Sequence, residues 1–256
     1  MIRADGRSST DYRPISFSLN DLPVANGSSV VKIGNTEVLA SLKGEIGSPL
    51  SDRVAGRLFF NINCDQAFAG DNTQYKLLER DLESLMTFAF LGQTNSSADM
   101  FFSSLHDSSL VIEPEKLVWD IYVDISVLAV DGNFSDACFL ATRLAFGAAK
   151  LPVVQLSSLD TITLDTDGSL LDLNTERLPL SCSLYHYKSM FIADPLPEEM
   201  EVSLGFVMLS GLQDGTICLC QKSGSSLFSD TSFSNLVSLG GEVLETLFRK
   251  VSQFEG

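Results

Sequence analysis

Positive charge is what this 256-residue chain has least of. It carries 17 lysines and arginines against 33 aspartates and glutamates, a formal net charge of −16. Proteins that bind free nucleic acid unaided usually present a basic patch or stripe. This chain is therefore a poor RNA binder alone unless its few cations cluster. Histidine is scarcer still, with only His106 and His186. The five cysteines form no C-x-x-C pair, and neither histidine lies near a cysteine pair. That argues against a zinc site, and no metal or cofactor is expected. An odd, scattered cysteine set points to buried, reduced thiols in a cytoplasmic or nuclear compartment. Cys218 and Cys220, in "TICLCQK", are two apart and would share one face of a strand. No run reaches the roughly 18 apolar residues of a membrane span. The opening "MIRADGRSSTDYRP" lacks the apolar core of a secretory signal.

Pattern is plentiful. Hydrophobic residues make up 45% of the chain, enough for a genuine core. "SSVVKIGNTEVLASLKGEI" predicts a hairpin about Gly34-Asn35, and "LFFNINC" a further strand. "QYKLLERDLESLMTFAFL" places Leu78, Leu82, Leu85, Met86 and Ala89 on one helical face. "VWDIYVDISVLAV" alternates: Trp119, Ile121, Val123, Ile125 and Val127 point one way, and Asp120, Tyr122, Asp124 and Ser126 the other. A helix with Ala137, Leu140, Ala141, Leu144, Ala145 and Ala148 as its buried stripe follows, ending before Pro152. The acidic stretch 157–179 predicts a linker with a short hairpin. Beyond it, "LSCSLYHYKSMFIAD", "EVSLGFVML" and "TICLCQK" predict three strands. The last helix lies within 231–254, with Phe233, Leu236, Val237, Leu244, Leu247, Phe248 and Val251 on one face and Gly240 and Gly241 allowing close approach. Strands followed by helices in each half give an α+β class.

The stretch "VDGNFSDACFLA", residues 130–141, is where a strand hands over to a helix. Such a junction suits a phosphate, because backbone N–H groups at a helix start orient an anion. Here it carries two aspartates and no cation before Arg143. Upstream, arginines 3, 7 and 13 interleave with aspartates. They form a solvated arm, or pair internally or across an interface.

"RADGRSSTDYRPI", "NGSSVVKIGNTEVLASLKGEIGSP" and "VWDIYVDISVLAVDGNFSDA", in that order, resemble the RNase PH family. "FIADPLPEEMEVSLGFVM" and "DGTICLCQKSGSSL" extend the match into the second half. Within the family they are most similar to the eukaryotic exosome ring subunits of the ribosomal-RNA-processing protein forty-two type. The resemblance implies two stacked α+β subdomains, residues 1–155 and 156–256. It also implies a hexameric ring of RNase PH-like chains that guides RNA in 3′-to-5′ decay and processing, in the nucleus, nucleolus and cytoplasm.

Active members hold inorganic phosphate on a Gly-Ser/Thr-Arg turn after this Asp-Gly, where an arginine fork neutralises it. Here the turn is Asp131, Gly132, Asn133, Phe134, Ser135 and Asp136, so Asn133, Phe134 and Ser135 replace the phosphate binders. Asp136 is expected to serve the helix dipole, worth roughly 0.5–1 kcal/mol. Active members also pair two aspartates six apart. Asp194 matches the first and Met200 falls at the second, leaving Asp194 a vestigial acid or a turn residue before Pro195. Glu198, Glu199 and Glu201 would form a solvated acidic rim, and Gly70-Asp71 stands where many relatives have Gly-Arg. Lys43, Arg53 and Arg57 are the candidate RNA contacts near the implied pore; Lys222 is a similar cation, and the Gly224-Ser225-Ser226 run after it reads as a turn rather than a phosphate cradle. The expectation is a non-catalytic exosome ring subunit. The alternatives are an active phosphorolytic exoribonuclease, or a protein-only scaffold without RNA contact.

Overall fold

The computed structural model describes residues 3–49, 56–64, 73–91, 110–113, 115–156, 162–164, 170–173, 175–187, 190–225 and 230–252. The first sheet contains β1 (Ile15–Leu19), β2 (Gly27–Ile33), β3 (Thr36–Gly47), β4 (Arg57–Asn63), β5 (Val111–Glu113) and β6 (Leu117–Ala129). Its order is β1-β2-β3-β6-β4, with β5 also paired to β6. The hairpin turn falls where expected, with Gly34 at φ +60°, the left-handed conformation that such turns need. Helix α1 (Thr73–Leu91) lies between β4 and β6 in the chain. The two strands run parallel, as a crossover connection allows.

The alternation of β6 holds. Trp119, Ile121, Val123, Ile125 and Val127 are buried, while Tyr122 and Asp124 are exposed; of the other outward residues Ser126 is half-buried and Asp120 is buried beneath the Arg57 guanidinium. Helix α2 (Ser135–Ala148) packs on β2 and β3 of this sheet and on β11 (Leu180–Tyr187) of the second. It is apolar nearly all round because it is buried between two sheets. The second sheet has the order β12 (Met190–Ala193), β11, β13 (Gly205–Gly211), β14 (Ile217–Gly224). Helix α4 (Asp230–Ser252) packs on β11 and β13. Along β11, Cys182 reaches the Gly240 carbonyl of α4, whereas Ser181 and Ser183 reach Asp136 of α2. Successive residues of a strand point to opposite faces, so the second sheet carries a helix on each face. The layers run sheet, helices, sheet, helix.

Between the sheets the chain forms β7 (Lys150–Pro152), β8 (Val154–Leu156), β9 (Ile162–Leu164) and β10 (Leu170–Asp172). β7 pairs with β10 and β8 with β9. The 155/156 division lies inside β8.

Several local expectations change. β1 was not expected. "LSCSLYHYKSMFIAD" is two antiparallel strands, β11 and β12, rather than one. In "EVSLGFVML" the strand starts only at Gly205, because Pro197–Glu201 form the short helix α3 and proline suits a helix's first turn. Leu78 and Phe233 are 44% and 42% exposed, so both fall outside their helices' buried stripes. Cys64, Cys138 and Cys182 are buried, but Cys218 is intermediate and Cys220 exposed, since β14 is an edge strand. Gly240 is a close-approach position and Gly241 is not. A Cβ at 240 would lie 2.2 Å from Leu209 Cδ1, whereas nothing lies within 4 Å of one at 241. Gly240→Val should therefore cost about 1–3 kcal/mol through overpacking. Gly241→Ala should gain about 0.5–1 kcal/mol in helix propensity. Urea unfolding midpoints of the two variants check both signs.

Candidate functional site

The arm of residues 3–14 is anchored on the second sheet. Ser9 accepts a backbone hydrogen bond of 2.7 Å from Ala193 of β12. Arg3, only 7% exposed, donates from Nε and Nη2 to both carboxylate oxygens of Glu199, at 2.9 and 2.6 Å. It also donates to the carbonyls of Ala193 and Asp194, at 2.9 and 2.8 Å. Glu199 in turn accepts from the Leu196 N–H at 2.8 Å, capping α3. Glu199 therefore does not belong to a solvated rim, although Glu198 and Glu201 are exposed. Of the three expectations for the arginines, internal pairing is observed for Arg3, Arg7 and Arg13.

Asp194 lies at the centre of this arrangement. It is fully buried, with φ +43°. Arg13 donates to it from the backbone N at 2.8 Å, from Nε at 2.9 Å and from Nη2 at 2.6 Å. Arg7 Nη1 adds a fourth bond at 2.9 Å. Asp194 is thus not merely a turn residue, since four donors point at its carboxylate. The same Arg13 guanidinium reaches the Asp131 carbonyl, and its Nη1 lies 3.5 Å from Asp131 Oδ2. Asn35 Nδ2 donates to Asp131 Oδ2 at 2.9 Å. Gly132, at φ +103°, lies so close to the next turn that a Cβ there would come within 2.4 Å of the Pro195 carbonyl oxygen. The 131–136 turn and Asp194, distant in sequence, are therefore brought together, with Arg13 between them.

Asp136 does more than expected. It lies in the first turn of α2, as the helix-dipole expectation requires, but is 3% exposed and serves far more than the helix end. Its carboxylate accepts from Tyr12 Oη at 2.6 Å, Asn133 Nδ2 at 2.5 Å, and Ser181 Oγ, Ser183 N and Ser183 Oγ, each at 2.9 Å. Burial raises its carboxyl above the ordinary value, and the bonds from Tyr12, Ser183 and Ser181 oppose that rise. Burial likewise holds Tyr12 well above the usual phenol range, so it remains a donor. Asp136 joins the arm, α2 and β11. Phe134 stands at the N-cap without a side-chain capping bond and packs against the core. Ser135 is half-buried at the first helical position.

Arg143, the first cation after the junction, does not face this turn. It is 1% exposed and donates to the Thr175 and Leu178 carbonyls at 2.8 and 2.5 Å. Its guanidinium lies 5.1 Å from the Phe248 ring centroid. Met200 lies in α3, where its N–H bonds the Leu196 carbonyl at 3.0 Å. Lys43 is exposed and pairs with Glu45 at 2.6 Å. Arg57 forks onto Asp120 through Nε, at 2.7 Å, and Nη2. Lys222 donates to the Gly224 carbonyl at 2.9 Å. Arg53, Gly70, Asp71 and His106 lie outside the described residues. Among the described residues no cluster of three metal-ligating side chains occurs, and no helix is long and apolar enough to cross a membrane.

Tyr12, Arg13, Ser181 and Ser183 were not singled out as site residues. The available signals were the interleaved Arg/Asp arm and the alternating Ser-Cys-Ser of β11. Neither names its partner.

Residues 11–152 match the 3′ exoribonuclease family, domain 1 (RNase PH). The chain is 32% identical over 260 residues to the exosome complex component Rrp42 of Sulfurisphaera tokodaii, covering 98% of this chain and 86% of that protein. It is 33% identical over 241 residues to the protein of the same name from Saccharolobus islandicus, covering 89% and 80%. Among solved structures it superposes on a chain of the Archaeoglobus fulgidus exosome with RNA bound to the active site. The TM-score is 0.76 at 27% identity, covering 97% of this chain and 92% of that one. An archaeal exosome core gives a TM-score of 0.74 at 26% identity, covering 97% and 90%. With its two sheets and their helices and this match across nearly the whole chain, the chain belongs to the RNase PH family.

Proposed function

We propose that this chain is a non-catalytic subunit of an RNA exosome. It would be one member of a six-membered ring of RNase PH-like chains that organises 3′-to-5′ processing and degradation of RNA. One observation carries the non-catalytic part: the 131–136 turn is built into the fold. Phe134 packs against the core, Asp136 is a buried hydrogen-bond hub, and Arg13 bridges Asp131 to Asp194. Phosphorolysis needs an oriented, neutralised anion and a general acid beside it. A carboxylate at the helix start repels that anion. Asp194 already accepts four bonds, and the position of its partner acid is Met200.

The similarity to exosome components supports the ring. In such a ring most of the positive charge along an RNA path would come from neighbouring chains. Lys43 and Arg57 are the described candidates for this chain's own RNA contacts, and both already face carboxylates. On the eukaryotic reading the assembly works in the nucleus, nucleolus and cytoplasm.

The purified chain is expected to release no nucleoside diphosphate from single-stranded RNA supplied with phosphate and magnesium. Ser135→Arg alone should not restore activity, because Phe134 and Asp136 still oppose a bound anion. Thin-layer analysis of products from an end-labelled RNA checks both. Phosphate-dependent shortening by the purified wild-type chain would establish the rival reading, an active exoribonuclease.

A further inference from the structure

Among the described residues the first sheet has helices on one face only. α1 meets α2 on that face through Phe90, whose ring lies 5.2 Å from Phe60 of β4 and 5.8 Å from Phe139 of α2. On the opposite face Lys43, Phe59, Asn61, Tyr122 and Asp124 are all exposed. Among the described residues no helix packs there. Phe59 and Tyr122 are register partners on β4 and β6. Their rings stack with centroids 4.9 Å apart and 16° between planes, yet they stay 40% and 37% exposed. Two stacked aromatics left facing water where the terminal strand β4 meets β6 suit a recognition surface.

Charge identifies what the surface suits. Among the described residues each cation on this face is already matched: Lys32 with Glu37 at 3.1 Å, Lys43 with Glu45 at 2.6 Å, and Arg57 with Asp120. Asp124 accepts from the Asn61 amide at 2.8 Å and feels the Lys43 charge, which is itself paired with Glu45; among the described residues it has no ion-pair partner of its own. The face therefore carries one carboxylate in excess. A nucleic-acid strand would stack its bases here but bring phosphates to a net-negative surface. A guanidinium brings the opposite charge, a fork for a carboxylate and a plane that stacks on an aromatic ring. The chain contains one such set internally. Arg57 sits 5.7 Å from the Phe59 centroid while forked onto Asp120. Tyr122 and Asp124, two apart on the same strand face, are roughly 7 Å apart by strand rise and repeat the ring-and-carboxylate pair without an arginine of their own.

We propose that the open face around Phe59, Tyr122 and Asp124 docks an arginine-bearing segment of a neighbouring protein subunit. The incoming guanidinium stacks on Tyr122 and pairs with Asp124. This deepens the ring reading and rests on it, since it names the surface and the chemistry of the contact.

The test uses the tagged full-length chain in its source cells, with the photo-reactive p-benzoylphenylalanine in place of Phe59. The purified complex is irradiated and its adducts are sequenced. The expected adduct is an arginine-containing peptide of a different RNase PH-like subunit. In parallel, Asp124→Lys should lower recovery of that subunit by about tenfold or more, while Asp124→Asn lowers it less. Neither change should shift the thermal midpoint of the isolated chain. An adduct with RNA, an adduct with a second copy of this chain, or no adduct from a complex that still contains other RNase PH-like subunits overturns this inference and leaves the ring reading standing. A complex with no other RNase PH-like subunit overturns both.

Discussion

Replacing Asp194 with asparagine is expected to destabilise the isolated chain by about 3–5 kcal/mol, because it leaves buried arginine charge without its counter-ion. Asparagine keeps the size of the side chain and tolerates the positive φ, so the change isolates the charge. Arg13 and Asp194 have side chains 7% and 0% exposed, and Arg7 is 13% exposed. Solvent therefore cannot replace the lost carboxylate. An amide also turns an N–H₂ group toward a site that now receives four donors. Chemical unfolding followed by circular dichroism measures the loss. A second readout is the arm itself, where limited trypsin digestion should cut the variant after Arg7 far faster than the wild type; Arg13 precedes Pro14 and resists trypsin in either chain. The control is Arg249→Ala, which removes an exposed helix pair whose side chains are 65% and 73% exposed. That change should cost less than about 0.5 kcal/mol. If Asp194→Asn costs no more than the control, the arm is not held by its ion pairs.

Asp136→Ala is expected to cost about 2–5 kcal/mol, because buried donors lose their acceptor. The Ser183 N–H cannot rotate away, and Tyr12 Oη is enclosed in the core. Asp136→Asn should cost nearly as much, since an amide cannot accept from every donor that the carboxylate serves. Urea unfolding gives the magnitude. Hydrogen exchange gives the location: the Ser183 amide should lose protection first, at the contact between α2 and β11. Retention of wild-type stability by both variants would mean that Asp136 is not the hub the geometry describes.

The two replacements separate what is local from what is not. Alternation along β6 and the turn at Gly34-Asn35 were legible in the sequence because their cause is local. A period of two and a positive φ are properties of neighbouring residues. The ordered motifs likewise identified the family, since each of them is a short contiguous stretch. Burial was harder to foresee. Leu78 and Phe233 follow helical spacing yet face solvent, because the width of a buried stripe depends on what packs against it. β12 and α3 were missed for a related reason: a run rich in β-formers does not reveal where the chain reverses.

The roles of the site residues were decided almost entirely by tertiary structure. Asp194 and Arg13 are 181 positions apart, and Asp136 and Ser183 are 47 apart. No spacing encodes such partnerships. From the sequence alone, a carboxylate beside a turn is compatible with a catalytic acid, a helix-dipole partner or a solvated charge. Which it becomes depends on whether water or protein surrounds it, because a buried charge must be matched by donors and an exposed one need not be. The sequence by itself determined that Asn133, Phe134 and Ser135 occupy the turn and that Met200 stands six residues after Asp194. Only the fold decided that the remaining carboxylates are enclosed, each held by donors from a distant part of the chain.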